Sequence, residues 1–261
     1  MRNHFFLAVG VALCLASCGK KETQQEEKKS AGPSYTFELR NFKLNSDNCK
    51  ADSAHCASYE VSYPEFTGLD SAVTNKIRYK IDSVLSAGYS EGLVQTFEQN
   101  GKLFIDEYQN FIKEDPEPMG GGWYYSANVN VEQSLDSLLT LSIYTEDFAG
   151  GAHPNSATIY LNINPKTGAR VSLNDVLKPG YTNALTQAAE SIFRKKRELA
   201  DTASLKNNAF DFPDDKFQLN KNYGFAKDGI VFYYNTYEVG AYAAGPTEVI
   251  VPYTEIKDWL K

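Results

Sequence analysis

The 261-residue sequence predicts an α+β fold, with two small lobes of mainly antiparallel sheets and packed amphipathic helices. Three observations predict it. Runs of strict apolar–polar alternation outnumber runs with helical spacing. The alternating runs come in neighbouring groups joined by short turns, the pattern of locally paired strands. The helical runs fall between those groups instead of following single strands, which argues against a doubly wound parallel sheet.

Order begins at Tyr35, where "YTFELRNFKL" alternates and reads as a strand. "ASYEVSYPEF" is a second strand, and Pro64 marks an edge or a bulge in it, because proline cannot donate to a ladder. Leu69, Val73, Ile77, Ile81, Val84 and Leu85 then recur at helical steps and predict an amphipathic helix ending near Gly88. A second helix is expected over Leu93 to Ile112, with a weak point at Asn100-Gly101. After the loop "EDPEPMGGG" come two alternating runs, "WYYSANVNVEQ" and "SLLTLSIYTEDF", and then a third, "SATIYLNI". "NPKTGA" has proline and glycine where a tight reversal wants them. Leu185, Ala188, Ala189, Ile192, Phe193 and Leu199 mark another helix, whose Arg194–Arg197 run reads as a solvated face at its C-terminal, dipole-negative end. Asp228-Gly229 predicts a hairpin, "TEVIVPY" a last strand and "TEIKDWL" a closing helix.

The N-terminus reads as a leader. Arg2 precedes the apolar stretch "FFLAVGVALCLA", which is too short to span a membrane, and "LASC" then has the form of a bacterial lipobox. The expectation is a signal peptide over residues 1–17, lipid attached at Cys18, a solvated tether over 18–34, an N-terminal lobe over 35–153 and a C-terminal lobe over 154–261. Cell-envelope localisation follows, with the chain held at a membrane, the bacterial outer membrane being the expected one, through several acyl chains on one residue. An exported chain meets an oxidising compartment, so Cys49 and Cys56 in "CKADSAHC" are expected to form a disulfide. The competing reading, a metal site with His55, offers three ligands where a closed zinc site needs four. Loss of Arg2 with the leader takes the formal net charge from −7 to −8. That acidity argues against a nucleic-acid partner and suits a cationic one.

Two longer stretches resemble a known family. "DFAGGAHPNSATIYLNINPKTGARVSLNDVL" runs from Asp147 to Leu177, and "FDFPDDKFQLNKNYGFAKDGIVFYYNTYEVGAYAAGPTEVIVPYTEIKDWL" from Phe210 to Leu260. The shared marks are Gly-Gly-Ala-His-Pro before a strand, the Asn-Pro-Lys-Thr-Gly turn, the tyrosine-rich run after it and Ala-Ala-Gly-Pro before the last strand. Together they resemble the extracytoplasmic domain of the anti-sigma factor RsiV, the N-terminal part of the peptidoglycan deacetylase PdaC and a secreted mycobacterial immunogenic protein. The resemblance implies a two-part α+β unit. RsiV-like domains bind lysozyme directly, so it also implies a lysozyme-like protein or a peptidoglycan ligand as partner.

Catalytic motifs are sparse. His-Glu-x-x-His and Gly-x-Ser-x-Gly are absent, and beyond the leader the chain has two histidines, His55 and His153. No cofactor or metal is expected. Asp147 and His153 could in principle serve a Ser-His-Asp triad, but nothing in the spacing selects the serine. A two-carboxylate glycosidase or a hydrolase of acyl groups remains open on composition, as does a purely structural envelope role. His153 is expected to brace a loop at the lobe boundary, with Gly150 and Gly151 reversing the chain before it. Asp147, His153 and Asn155 are the candidate binding residues there. Tyr233, Tyr237 and Tyr242 are candidates on the tyrosine-rich run, because tyrosine supplies contact area at low entropic cost. Phe232 and Tyr234, in phase with Ile230, are expected in the core.

Overall fold

The computed structural model describes residues 33–50, 55–87, 93–114 and 121–261. The leader, Cys18 and the tether up to residue 32 lie outside the described residues, as does part of the loop at 115–120. The elements in order are β1 (Thr36–Asn45), β2 (Ser58–Thr67), α1 (Ser71–Leu85), α2 (Phe97–Glu114), β3 (Tyr124–Ser134), β4 (Leu139–Phe148), β5 (Asn155–Ile163), α3 (Leu173–Val176), α4 (Thr182–Lys196), β6 (Tyr223–Phe225), β7 (Gly229–Tyr234) and β8 (Thr247–Pro252). The expected α+β class is what the chain adopts. A five-stranded sheet runs in the order β1-β2-β3-β4-β5, and a three-stranded sheet in the order β6-β7-β8.

Every neighbouring pair is antiparallel except β2 and β3. A parallel pair needs a long crossover, and α1 and α2 supply it. Pro64 lies beyond Ser62, where the pairing of β2 with β3 stops, so β2 has a free flank there and the missing N–H costs no ladder bond on that side.

Alternation sets the inner face of the large sheet. Tyr125, Ala127 and Val129 of β3 and Leu139, Leu141 and Ile143 of β4 are buried against Val73, Ile77, Ile81 and Leu85 of α1 and Phe97, Phe104 and Tyr108 of α2. Asp70 caps α1 by accepting from the Ala72 and Val73 N–H groups. Between the helices, Arg78 lies over the Phe97 ring at 3.7 Å and reaches both Asp82 and Glu98. The Asn100-Gly101 step is no break in α2. Gly101 is buried, and a Cβ there would come within 2.8 Å of the Tyr59 ring, so glycine lets the helix sit down on the sheet.

The first sheet continues past His153. β5 pairs with β4 from Asn155 to Ile163, so the lobe boundary expected between 153 and 154 moves to the turn after Ile163. Residues Gly32–Lys261 form one compact unit. Two things join the sheets: the Tyr160 ring of β5 lies against Gly224 of β6, and a row of asparagines bridges them. Asn162, on the β5 face turned away from α1 and α2, accepts from the Thr140 hydroxyl (3.0 Å) and the Phe225 N–H (3.1 Å) and donates to the Tyr223 carbonyl (2.7 Å). Asn222 accepts from the Tyr160 N–H and donates to the Thr158 and Tyr233 carbonyls. Asn235 accepts from the Thr158 N–H and donates to the Thr158 carbonyl. Side-chain amides thus occupy backbone groups of an edge strand that would otherwise be open to another chain.

The second core gathers around Phe193 of α4, which meets Phe210, Phe212, Phe217 and Tyr234 at centroid separations of 5.1, 5.4, 5.3 and 5.9 Å. Phe232 and Tyr234 are buried, as their phase with Ile230 predicts. The closing segment Tyr253–Trp259 is a 3₁₀ helix interrupted at Ile256, not an α-helix.

Candidate binding face

His153 does sit in a loop, but its aromatic partners come from a distant part of the chain. Its ring stacks on Tyr242 with centroids 3.9 Å apart and planes 18° off parallel. Nδ1 lies 3.1 Å from the Pro154 carbonyl, and Nε2 lies 3.5 Å from the Tyr237 hydroxyl. The Tyr237 and Tyr242 rings are 5.7 Å apart. Among the described residues, no carboxylate stands within ion-pair reach of His153. A general base needs a group that orients it, and this imidazole has a backbone carbonyl and a phenol.

Asp147 belongs elsewhere. It accepts from the Asn155 amide at 3.3 Å, and the two line a 290 Å³ depression with Phe104, Glu107 and Trp123 on the α2 side of the sheet. Asp147 and Asn155 are thus bonded to each other and, among the described residues, make no hydrogen bond or ring contact with His153, Tyr237 or Tyr242. Tyr233 is half-buried, close enough to Tyr144 to raise its hydroxyl pKa, and has no ring partner within stacking range among the described contacts. Cys49 and Cys56 are disulfide-paired with Cα atoms 4.9 Å apart.

The end of β4 that leads into this loop carries an acidic group that the sequence reading did not single out. Glu146 accepts from the Tyr124 hydroxyl at 2.8 Å and the Tyr144 hydroxyl at 2.6 Å. Those bonds, Tyr144's first, hold its carboxyl below the ordinary range. Burial, then the bond to Glu146, pushes the Tyr144 hydroxyl up to about 12. The bond to Glu146 first, then burial, also pushes the Tyr124 hydroxyl up, with Asp147 and Tyr242 as further electrostatic neighbours. The signal for Tyr144 and Glu146 was present: with Leu141 and Ile143 buried, alternation along β4 turns them away from that core.

Two devices hold the face in place. Tyr237 adopts φ 69° and is 63% exposed, a left-handed backbone that a bulky residue rarely takes. The turn is fixed by Glu238, which accepts from the Asn235 N–H, and by the bonds of Asn235 to β5. The loop bearing Tyr242 is gripped by Arg197, which donates to the Ala244, Gly245 and Pro246 carbonyls and to the Thr247 hydroxyl. The Arg194–Arg197 run is thus solvated only in part, at Lys195 and Lys196. Arg194 is buried, donating to Glu190 and to the Ala200 and Ala203 carbonyls, and Lys196 donates to the Glu248 carbonyl.

What such a face can do is bind. It offers exposed aromatic area with polar tips, which can receive lysine and arginine side chains. Among the described residues no group of three metal-ligating side chains occurs.

Comparison with known families agrees with this architecture. Residues 49–156 match the family model described as Deacetylase PdaC, and residues 174–254 match the one described as Protein of unknown function (DUF3298). A crystal structure of a DUF3298-family member from Bacteroides fragilis NCTC 9343 superposes with a TM-score of 0.66 at 22% identity, covering 88% of this chain and 95% of that one. A DUF3298-family protein from Pseudomonas aeruginosa PAO1 gives a TM-score of 0.61 at 16% identity, with 87% and 94% covered. No curated protein matches the chain.

Proposed function

We propose that this member of the PdaC/DUF3298-like family is a non-catalytic binding module of the bacterial cell envelope, lipid-anchored at Cys18, whose tyrosine face captures a cationic, lysozyme-like protein. The observation that carries the reading is the ring cluster itself. Tyr237 and Tyr242 are 63% and 43% exposed, yet one is held in a strained backbone and the other is stacked on His153 and braced by Arg197. Exposed aromatic side chains fixed in advance lose little freedom on binding, which is how hot spots are built. The net charge of −7 favours a basic partner.

Retention of a cationic lysozyme by the immobilised chain tests this. The expected result is capture at low salt, weakened at high salt and reduced at least tenfold in Tyr237→Ala/Tyr242→Ala, a loss of about 1.4 kcal/mol or more. A wild-type chain that retains no lysozyme at low salt overturns the reading. Lipid anchoring has its own test: Cys18→Ala should move the protein out of the membrane fraction. The name of the model matching residues 49–156 supplies a second reading, hydrolysis of acyl groups on envelope glycans. It predicts acetate release from acetylated chitooligosaccharides, lost in His153→Ala.

A further inference from the structure

A second surface, made of other residues, gathers four cations on a chain that is acidic overall, with Glu248 and Glu132 as electrostatic neighbours of Tyr160 in its wall. Lys76 and Lys80 stand one turn apart on α1. Lys76 donates to the Thr167 carbonyl at 3.0 Å, and its stem packs on Gly168, where a Cβ would meet it at 2.7 Å. Arg170 follows the turn after β5, and Lys221 precedes β6. Two adjoining cavities, of about 510 and 450 Å³, run between these residues and share Lys80 and Leu161 in their walls. The chain has 33 acidic residues against 26 lysines and arginines. Even so, among the described residues none of these four cations is within ion-pair distance of a carboxylate. Arg170 also lies 6.0 Å from the centre of the Tyr223 ring. Cations without a carboxylate partner around a partly apolar cleft focus field on it and draw anions.

We propose that this groove is a binding site for an acidic peptide. Its carboxylates would meet Lys76, Lys80, Arg170 and Lys221, and small apolar side chains would lie on Leu161 and Tyr79, the latter 60% exposed. Charge complementarity selects the anion. The apolar floor between the cations selects a peptide over an acidic glycan, which has carboxylates but no aliphatic side chains to cover that floor. A peptide adding as a strand is excluded over Thr158–Tyr160, because Asn222 and Asn235 already occupy backbone groups of β5 there. The site is independent of the tyrosine face, and either can fail without the other.

Calorimetric titration of the full chain with a synthetic peptide of alternating alanine and glutamate tests the proposal. It predicts saturable binding that weakens with salt, no binding of the alanine–glutamine counterpart, and a loss of about tenfold or more in Lys80→Glu/Lys221→Glu. Should Lys80→Glu disturb α1, the Arg170→Ala/Lys221→Ala pair, both exposed, reads the same loss. The proposal is overturned by any of four results: no saturable binding of the acidic peptide, undiminished binding by the variants, equal binding of the neutral peptide, or tighter binding of a uronate oligosaccharide.

Discussion

Asn162 is one of the residues that join the two sheets, and Asn162→Ala measures its share. The side chain is 4% exposed and all three of its hydrogen bonds cross between strands or sheets. Alanine leaves the Phe225 N–H and the Tyr223 carbonyl without partners in a buried place. Each orphan costs about 1–3 kcal/mol, and the vacated volume adds to that. The two orphans alone sum to about 2–6 kcal/mol, which for a domain of this size lowers the unfolding midpoint by roughly 4–24 °C. Asn162→Asp sharpens the test. A carboxylate sets a lone pair against the Tyr223 carbonyl where the amide donated, so the loss should be at least as large at neutral pH and shrink on acidification. Asn155→Ala, whose one bond to Asp147 is exposed, is the control and should stay within about 0.5 kcal/mol. Thermal and urea unfolding followed by circular dichroism reads all three. If Asn162→Ala shifts the midpoint no more than Asn155→Ala does, Asn162 has no share in holding the sheets together.

Two further outcomes are expected. Arg197→Ala removes charge-assisted bonds from the loop at 244–247, so it should cost about 1–3 kcal/mol in urea unfolding and weaken lysozyme capture although Arg197 is no part of the ring cluster. Stability should fall as pH drops from about 5 to about 3. Glu146 is lowered by the Tyr144 and Tyr124 hydroxyls, Asp136 by the Ser34 N–H and hydroxyl, and Asp175 by Ser172. At Glu98 burial pushes the carboxyl up, and the bonds from Arg78 outweigh it. A carboxyl lowered in the folded state contributes stability above its unfolded value, 3.8 for Asp and 4.5 for Glu, and loses it as pH falls through the folded value. Burial raises Asp82 and gives it the opposite slope, but it stands alone against these four. A midpoint that is flat or rises across that acid range would contradict this.

Elements with strong local signals were legible. Alternation in "SLLTLSIYTEDF", helical spacing from Leu69 to Leu85 and the Asp228-Gly229 turn each gave the right element in nearly the right place, because burial of one face dictates period. Long-range placement was not legible. Nothing local says that β5 belongs to the first sheet, that Gly101 makes room for Tyr59, or that Asn162, Asn222 and Asn235 reach β5 and its neighbours across gaps of up to 77 residues. The Arg194–Arg197 run misled in part, for the same reason. A cationic helix end is satisfied by its own dipole or by carbonyls supplied from elsewhere, and sequence cannot tell the two apart. In the candidate face, His153, Tyr237 and Tyr242 were selected one by one, but their meeting is a tertiary fact, as is the bonding of Asp147 to Asn155 in place of His153.

The claim that the tyrosine face is the capture surface is tested most directly by amide hydrogen exchange of the full chain with and without a cationic lysozyme. Slowed exchange concentrated in residues 150–158 and 235–245 is the predicted result. Slowed exchange elsewhere with those two segments unchanged, or no change anywhere, would contradict it.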